Sequence, residues 1–194
     1  MGQAGQAVDE SAATDADGPL VERCRAGDAG AMQQLYARHH GRLYAMALRL
    51  TGSRADAEDV VQDAFLRAWR ALDRFRGGAR FGTWIYRIAL NRCRDLHGRR
   101  RPDVELDEGD GQSEGGAIGD GGAGPAGGDG IARRRLETAL AELSRGYREV
   151  LVLHDVMELR HPEIAGILDI DVGTSKSQLH KARARMRRLL AAGA

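Results

Sequence analysis

The chain has 194 residues, 42% of them hydrophobic, which is room for one ordinary domain or two small ones, each with a modest core. No run approaches the roughly 20 apolar residues of a membrane span, and the Gly/Ala/Asp-rich N-terminus lacks the basic-then-apolar order of a secretory signal. A cytoplasmic protein without membrane insertion is the expectation.

The net charge of +1 conceals a strong segregation: residues 1–19 carry −4, residues 20–101 carry +9, residues 102–130 carry −8 and residues 131–194 carry +4. Two basic blocks separated by an acidic one suit a polyanionic partner, because cations that neutralise phosphates release condensed counterions. An Arg-rich helix is also simply soluble, and charge alone does not separate the two readings. The two cysteines, Cys24 and Cys93, have no CxxC or metal-ligand spacing, so reduced thiols are expected, with no metal and no cofactor.

Taken in chain order, residues 1–19 are small, polar and acidic and predict a disordered tail. From Leu20 to Gly98 the pattern is helical. Met32, Leu35, Tyr36, Leu43, Ala47 and Leu48 recur at helical spacing, and Gly52 follows as a stop signal. Ser53-Arg54-Ala55-Asp56 reads as a capping box opening the next helix, whose Val61, Ala64, Phe65, Ala68 and Leu72 fall on one face. A break at Arg76-Gly77-Gly78-Ala79 precedes a further helix from Phe81 to His97. Residues 102–130 hold many Gly, eight acids and few large apolar residues, a flexible linker by composition. Periodicity returns at Ile131, with Leu136, Leu140 and Leu143 on one stripe and Val150 to Leu153 after them. The expected fold is all-α, with two small helical domains at 20–101 and 131–194.

Three constellations carry chemistry. In the first, Pro162-Glu163-Ile164-Ala165-Gly166-Ile167-Leu168, a short turn and a longer basic helix make a helix-turn-helix, the unit whose second helix enters the DNA major groove. Leu179, Ala182, Met186, Leu189 and Leu190 share one side of that second helix. The other side presents Lys176, Ser177, His180, Lys181, Ala184, Arg187 and Arg188, a face suited to phosphates and base edges. The second is Asp56, Glu58, Asp59 and Asp63. Acids in a first turn offset the helix dipole, which accounts for Asp56 and Glu58 but not for Asp63, two turns in; helix capping and a protein-docking patch both remain open. The third interleaves arginines and aromatics around a glycine turn, from Arg74 to Arg87, with Trp84, Arg87, Asn91 and Arg94 on one stripe. An aromatic beside arginines suits an unstacked base, and Phe81 and Trp84 are equally suited to a core. No histidine, metal-ligand set or phosphate loop accompanies the carboxylates, so an enzyme is not expected.

Arg49 to Trp69, Phe81 to Asn91, and Val172-Gly173-Thr174 with Lys176-Ser177 and Leu179 to Arg183 together resemble the group IV, or extracytoplasmic-function (ECF), sigma factors of bacterial RNA polymerase. The resemblance implies a sigma-2-like and a sigma-4-like domain and a transcription initiation factor acting as a polymerase subunit. It implies that Asp56, Glu58, Asp59 and Asp63 dock on the beta-prime clamp, with further contact to the beta subunit. Arg76, Arg80, Phe81, Trp84, Arg87, Asn91 and Arg94 are then expected to capture and melt the minus-10 element. Thr174, Lys176, Ser177, His180 and Lys181 are expected to read the minus-35 element of promoter DNA, and an anti-sigma factor is a further expected partner.

The chain departs from the family pattern at the helix-turn-helix. Leu159-Arg160-His161-Pro162-Glu163 stands where Leu-Ser-Tyr-Glu-Glu is usual, Ser175 where a branched apolar residue is usual, Gln178 where Arg is usual, and Asp169 at a turn position often held by Gly. Asp tolerates the left-handed turn better than most residues, and Pro162 suits a first helical turn. A working but weaker or retuned minus-35 reader is the expectation. A stand-alone helix-turn-helix regulator would explain residues 131–194 alone, and a decoy that occupies polymerase without initiating would explain the departures.

Overall fold

The computed structural model describes residues 16–77, 80–100 and 128–192. The expected tail up to residue 15, Arg101, linker residues 102–127 and the loop residues Gly78 and Ala79 lie outside the described residues. Helices α1 (Gly18–Arg25), α2 (Ala29–Thr51), α3 (Arg54–Ala71) and α4 (Phe81–Arg100) form the N-terminal module. Helices α5 (Gly128–Ala141), α6 (Arg145–Leu151), α7 (His161–Leu168) and α8 (Val172–Ala192) form the C-terminal one, with a π-helical turn at Val152–Val156 closing α6. There is no strand among the described residues.

Three boundaries differ from expectation, the first being α4, which runs to Arg100 past the expected end at His97. The helix α1 begins inside the span read as tail, because Pro19 pre-sets the first turn and Asp17 is anchored. Its carboxylate is 2.7 Å from His39 Nε2 and 3.0 Å from Arg38 Nη1. At the other end α5 already includes Gly128, which composition had placed in the linker.

The N-terminal module follows from its punctuation. The Asp28 carboxylate accepts from the Gly30 and Ala31 amides at 2.9 and 3.2 Å and so opens α2. Gly52 closes it at φ 69°, a left-handed cap open to glycine without strain. The Ser53 hydroxyl then accepts from the Asp56 amide at 3.3 Å and starts α3. Ala57, Val61, Ala64 and Ala68 line the inner face of α3, all buried, and small side chains there let α3 lie close to α2. Leu35, Leu43 and Met46 of α2 meet Phe81, Ile85 and Leu90 of α4 in the center, fully buried. Cys24 and Cys93 are free and buried; burial pushes the Cys93 thiol up to about 12, so it is not a thiolate at neutral pH.

In the C-terminal module, Arg148 Nη2 donates to the Ala141 and Leu143 carbonyls at 2.6 and 2.9 Å and ties the end of α5 to α6. Leu143, Val150, Leu153, Met157, Ile164, Leu179 and Met186 fill the core between α6, α7 and α8. Tyr36 and Leu136, both read as core-facing, are 42% and 41% exposed. For Tyr36 the reason is the aromatic neighbour beneath it: its ring lies 4.7 Å from Phe65, which takes the buried position. No described helix is long and apolar enough to cross a membrane.

The two modules touch. Helix α7 packs against α4, and the π-helical turn packs against α2. Leu35→Ala, at a position with no solvent exposure, is expected to cost about 2–5 kcal/mol through lost burial and an unfilled cavity. Urea unfolding followed by circular dichroism measures it.

Candidate nucleic-acid interface

Helix α8 projects Lys176, Ser177, His180 and Lys181 into solvent in its first three turns, and Thr174 is half-buried behind them. The Ser177 hydroxyl donates to the Thr174 carbonyl at 3.0 Å and keeps acceptor capacity outward. Arg187 and Arg188 are exposed further along. Arg183 stands outside this face, its guanidinium bound to Asp155 of the π-helical turn. Gln178 is half-buried and lies over α6, where a Cβ at Gly146 would sit 3.7 Å from its Oε1. Its side chain therefore packs against α6.

The departures at the helix-turn-helix answer one another. Ser175 has no solvent exposure, and its hydroxyl is hydrogen-bonded to His161 Nδ1 at 3.0 Å. The buried polar group that replaces an apolar one is thus satisfied by His161, which stands where the family pattern has Tyr. Capping is restored differently: the Arg160 amide donates to Glu163 Oε2 at 3.0 Å, and Pro162 occupies the first turn of α7. Asp169 ends α7 at φ 60°, the left-handed position that glycine often fills.

The second surface is the outer stripe of α4 with the turn before it. Arg76 and Arg80 are exposed on either side of that turn, and Gly77 sits at φ 71°. Trp84 is half-buried, its ring 4.8 Å from Phe75. Phe81 differs from the expectation of a base-contacting residue. It has no exposed surface, and its ring is enclosed by Phe75 at 6.1 Å, Trp84 at 5.8 Å and His39 at 5.5 Å. It supports Trp84 from below. Asn91 is exposed, but Arg87 Nη2 donates to the Gly166 carbonyl of α7. Arg94 forms a two-pronged pair with Glu149 of α6, Nε to Oε1 at 2.9 Å and Nη2 to Oε2 at 2.6 Å.

The third surface is where the four acids divide. Asp56 is buried at the capped start of α3. Asp63 is bound within the module, 2.8 Å from Arg67 Nε and 3.2 Å from Arg92 Nε. That intramolecular pairing, joining α3 to α4, explains an acid two turns into a helix. Glu58 and Asp59 remain exposed. They rim a groove of about 590 Å³ whose wall includes Tyr36, Phe65, Leu66 and Trp69, the last two 49% and 43% exposed. The sequence reading missed Leu66 and Trp69. The available signal was that both fall off the buried stripe of α3, leaving two large apolar residues in water beside acids.

Residues 35–102 match Sigma-70 region 2 and residues 133–186 match Sigma-70, region 4. The RNA polymerase sigma factor CnrH of Cupriavidus metallidurans is 37% identical over 185 residues, covering 91% of this chain and 95% of the relative. The ECF RNA polymerase sigma-E factor of Escherichia coli K12 is 35% identical over 177 residues, covering 86% and 90%. Among solved structures, CnrH in complex with the cytosolic domain of CnrY matches with TM-score 0.72 at 31% identity over 92% of this chain and 99% of that one. The sigma factor RpoE in complex with the anti-sigma factor NepR from Bartonella quintana matches with TM-score 0.62 at 26% identity, covering 82% and 96%. The chain belongs to the sigma-70 family of RNA polymerase sigma factors. Within that family it is of the ECF class.

The His161–Ser175 bond yields a double test. His161→Ala is expected to cost about 1–3 kcal/mol by stranding a buried hydroxyl, and adding Ser175→Ala is expected to recover part of that loss. Burial, together with the nearby His154, Lys176 and Arg183, holds His161 below the ordinary histidine pKa. The unfolded chain then binds the proton more readily than the folded one. The contribution is therefore present in full above about pH 6.5 and declines as pH falls below it. Thermal melts of wild type and His161→Ala across that window are expected to show the smaller slope in the variant.

Proposed function

We propose that this sigma factor docks on core RNA polymerase through the groove rimmed by Glu58 and Asp59, reads promoter DNA with α8 and the α4 stripe, and opens it for initiation. The observation that carries the reading is the coexistence, on one chain, of an exposed apolar groove with acids at its rim and an acid-free recognition face on α8. A stand-alone DNA-binding regulator has no use for the groove.

In this reading Tyr36, Leu66 and Trp69 bury their apolar surface against the polymerase clamp, while Glu58 and Asp59 meet its cations. Asp56 and Asp63 contribute from inside, by capping α3 and by tying it to α4. Lys176, Ser177, His180 and Lys181, with Thr174 behind them, meet the minus-35 element. Gln178, turned toward α6, leaves that face one cation short of the usual pattern and retunes the reader. Trp84 offers its face to an unstacked minus-10 base, with Arg76, Arg80, Arg87, Asn91 and Arg94 holding phosphates. Bond-making chemistry belongs to the polymerase, so the factor works in the cytoplasm where the polymerase works. Two matched structures hold a sigma factor with a second protein, the cytosolic domain of CnrY and the anti-sigma factor NepR. By analogy, an anti-sigma factor controls this chain for a stress or environmental response.

Run-off transcription with bacterial core polymerase on pooled promoter fragments tests the whole reading. New start sites that share upstream motifs are expected only when the protein is present; co-migration with core polymerase without new transcripts would make it a decoy. Asp59→Arg is expected to weaken core association at least about tenfold, roughly 1.4 kcal/mol, with an unchanged melting temperature. Trp84→Ala is expected to leave association intact and to cost open-complex formation about 1–3 kcal/mol, the worth of one stacked base.

A further inference from the structure

We propose that helix α1 braces the base-capturing surface. Asp17 at its start, acting through His39, and Arg25 at its end, acting through backbone carbonyls, hold the aromatic cluster on which Trp84 rests, and both are positioning residues for promoter opening. The inference rests on the reading of Trp84 as the ring that meets an unstacked base. Trp84 is half-buried, and such a ring stacks well only when its orientation is set beforehand, because ordering it at the moment of contact opposes binding. Its ring neighbours are Phe75 and Phe81. Phe75 lies beyond the end of α3, in extended backbone after a short 3-10 turn at Leu72–Arg74, and Phe81 is the first residue of α4. Both sit at helix ends, where hydrogen bonds within the helix run out and other elements have to fix the backbone.

Helix α1 supplies the contact at both places. At the first, the Arg25 guanidinium donates to the Phe75 carbonyl and, from Nε at 3.3 Å, to the Leu72 carbonyl. Glu22 Oε1 lies 2.5 Å from Arg25 Nη1 and orients the group. One planar fork thus holds both ends of the short turn that leads to Phe75. At the second, His39 Nε2 is 2.7 Å from Asp17 Oδ2, with both side chains 12% exposed; a carboxylate only accepts, so the ring N–H donates. Arg38 Nη1 donates to the other Asp17 oxygen at 3.0 Å and to the Ala16 carbonyl at 2.8 Å. The imidazole held in this way lies 5.5 Å from the Phe81 ring and 6.0 Å from the Tyr86 ring. A Cβ on Gly82 would stand 3.1 Å from His39 Cε1, so the first turn of α4 rests directly on the imidazole. Val21 and Cys24, both buried, anchor α1 in the core between the two contacts. The helix precedes the residues that match Sigma-70 region 2, and each end of it acts on Trp84 through one intervening phenylalanine.

The test uses the full chain labelled with fluorotryptophan. Its two tryptophans, Trp69 and Trp84, give separate fluorine NMR lines, and the Trp84 line is the one absent from Trp84→Phe. Arg25→Ala and Asp17→Ala are expected to shift and broaden the Trp84 line, while the Trp69 line and helical circular dichroism stay as in wild type. Asp17→Asn keeps an acceptor for the His39 N–H and Arg25→Lys keeps a donor for the carbonyls, so both are expected to return the line toward its wild-type position. In run-off transcription with core polymerase on the pooled promoter fragments, the two alanine variants are expected to lower transcript yield about tenfold, within the worth of one stacked base, with core association unchanged. A Trp84 line that stays in place in both alanine variants, or moves only together with the Trp69 line, overturns the brace. A Trp84 line that moves alone, with transcript yield unchanged although Trp84→Ala lowers it, overturns the part of α1 in opening and leaves the reading of Trp84 standing. Full yield from Trp84→Ala, or no transcript from wild type, overturns that reading and the inference with it.

Discussion

Helix α4 is the element on which the rest of the molecule depends, because both of its faces are committed. Its inner face carries Phe81, Ile85, Ala89 and Leu90, all without solvent exposure, against α2 and α3. Burying four such side chains contributes on the order of 1.5–3 kcal/mol for each large one, which fixes the rotation of α4 about its own axis. Once that rotation is fixed, Trp84, Arg87, Asn91 and Arg94 have no choice but to share the opposite stripe. The placement of this stripe, the proposed nucleic-acid surface, is thus a by-product of core packing, and Phe81 reaches it only through the rings it supports.

Charge in this chain divides into a structural and a free population, and the division follows geometry more than residue type. Asp63 looks from the sequence like its neighbours Glu58 and Asp59, yet it lies over α4 and is bound by Arg67 and Arg92. Arg183 belongs to the same basic helix as Lys181 but is bound by Asp155. Glu58 and Asp59 by contrast stay exposed beside exposed apolar residues, and Lys176, Lys181, Arg187 and Arg188 stay exposed on α8. Opposite free charges on separate surfaces let a single chain face a protein on one side and a polyanion on the other without the two surfaces competing.

Much of this was legible in the sequence where local rules act alone. Gly52 and Ser53 mark a helix end and start because a left-handed cap and a hydroxyl acceptor are local requirements, and both stand where the chain turns. Asp169 takes its left-handed conformation for the same reason. The reading failed where a partner distant in sequence decides. Asp17 is ordered by His39 and Arg38, more than 20 residues away, and composition cannot report that. Tyr36 has the periodicity of a core residue but yields the interior to Phe65. The Ser175 hydroxyl looked like a loss until His161, 14 residues earlier, proved to be its partner. Each case turns on a pairing between elements, which no single-helix pattern contains.

The contact between modules combines polar pairs of small net value with shared apolar surface. Arg42 and Glu158 are both mostly exposed, and such a pair contributes about 0–1 kcal/mol. The Arg94–Glu149 pair gains more attraction from its enclosure but first loses hydration, so against separated, solvated partners it comes near to balance. The apolar surface shared by the modules tips that balance toward closure.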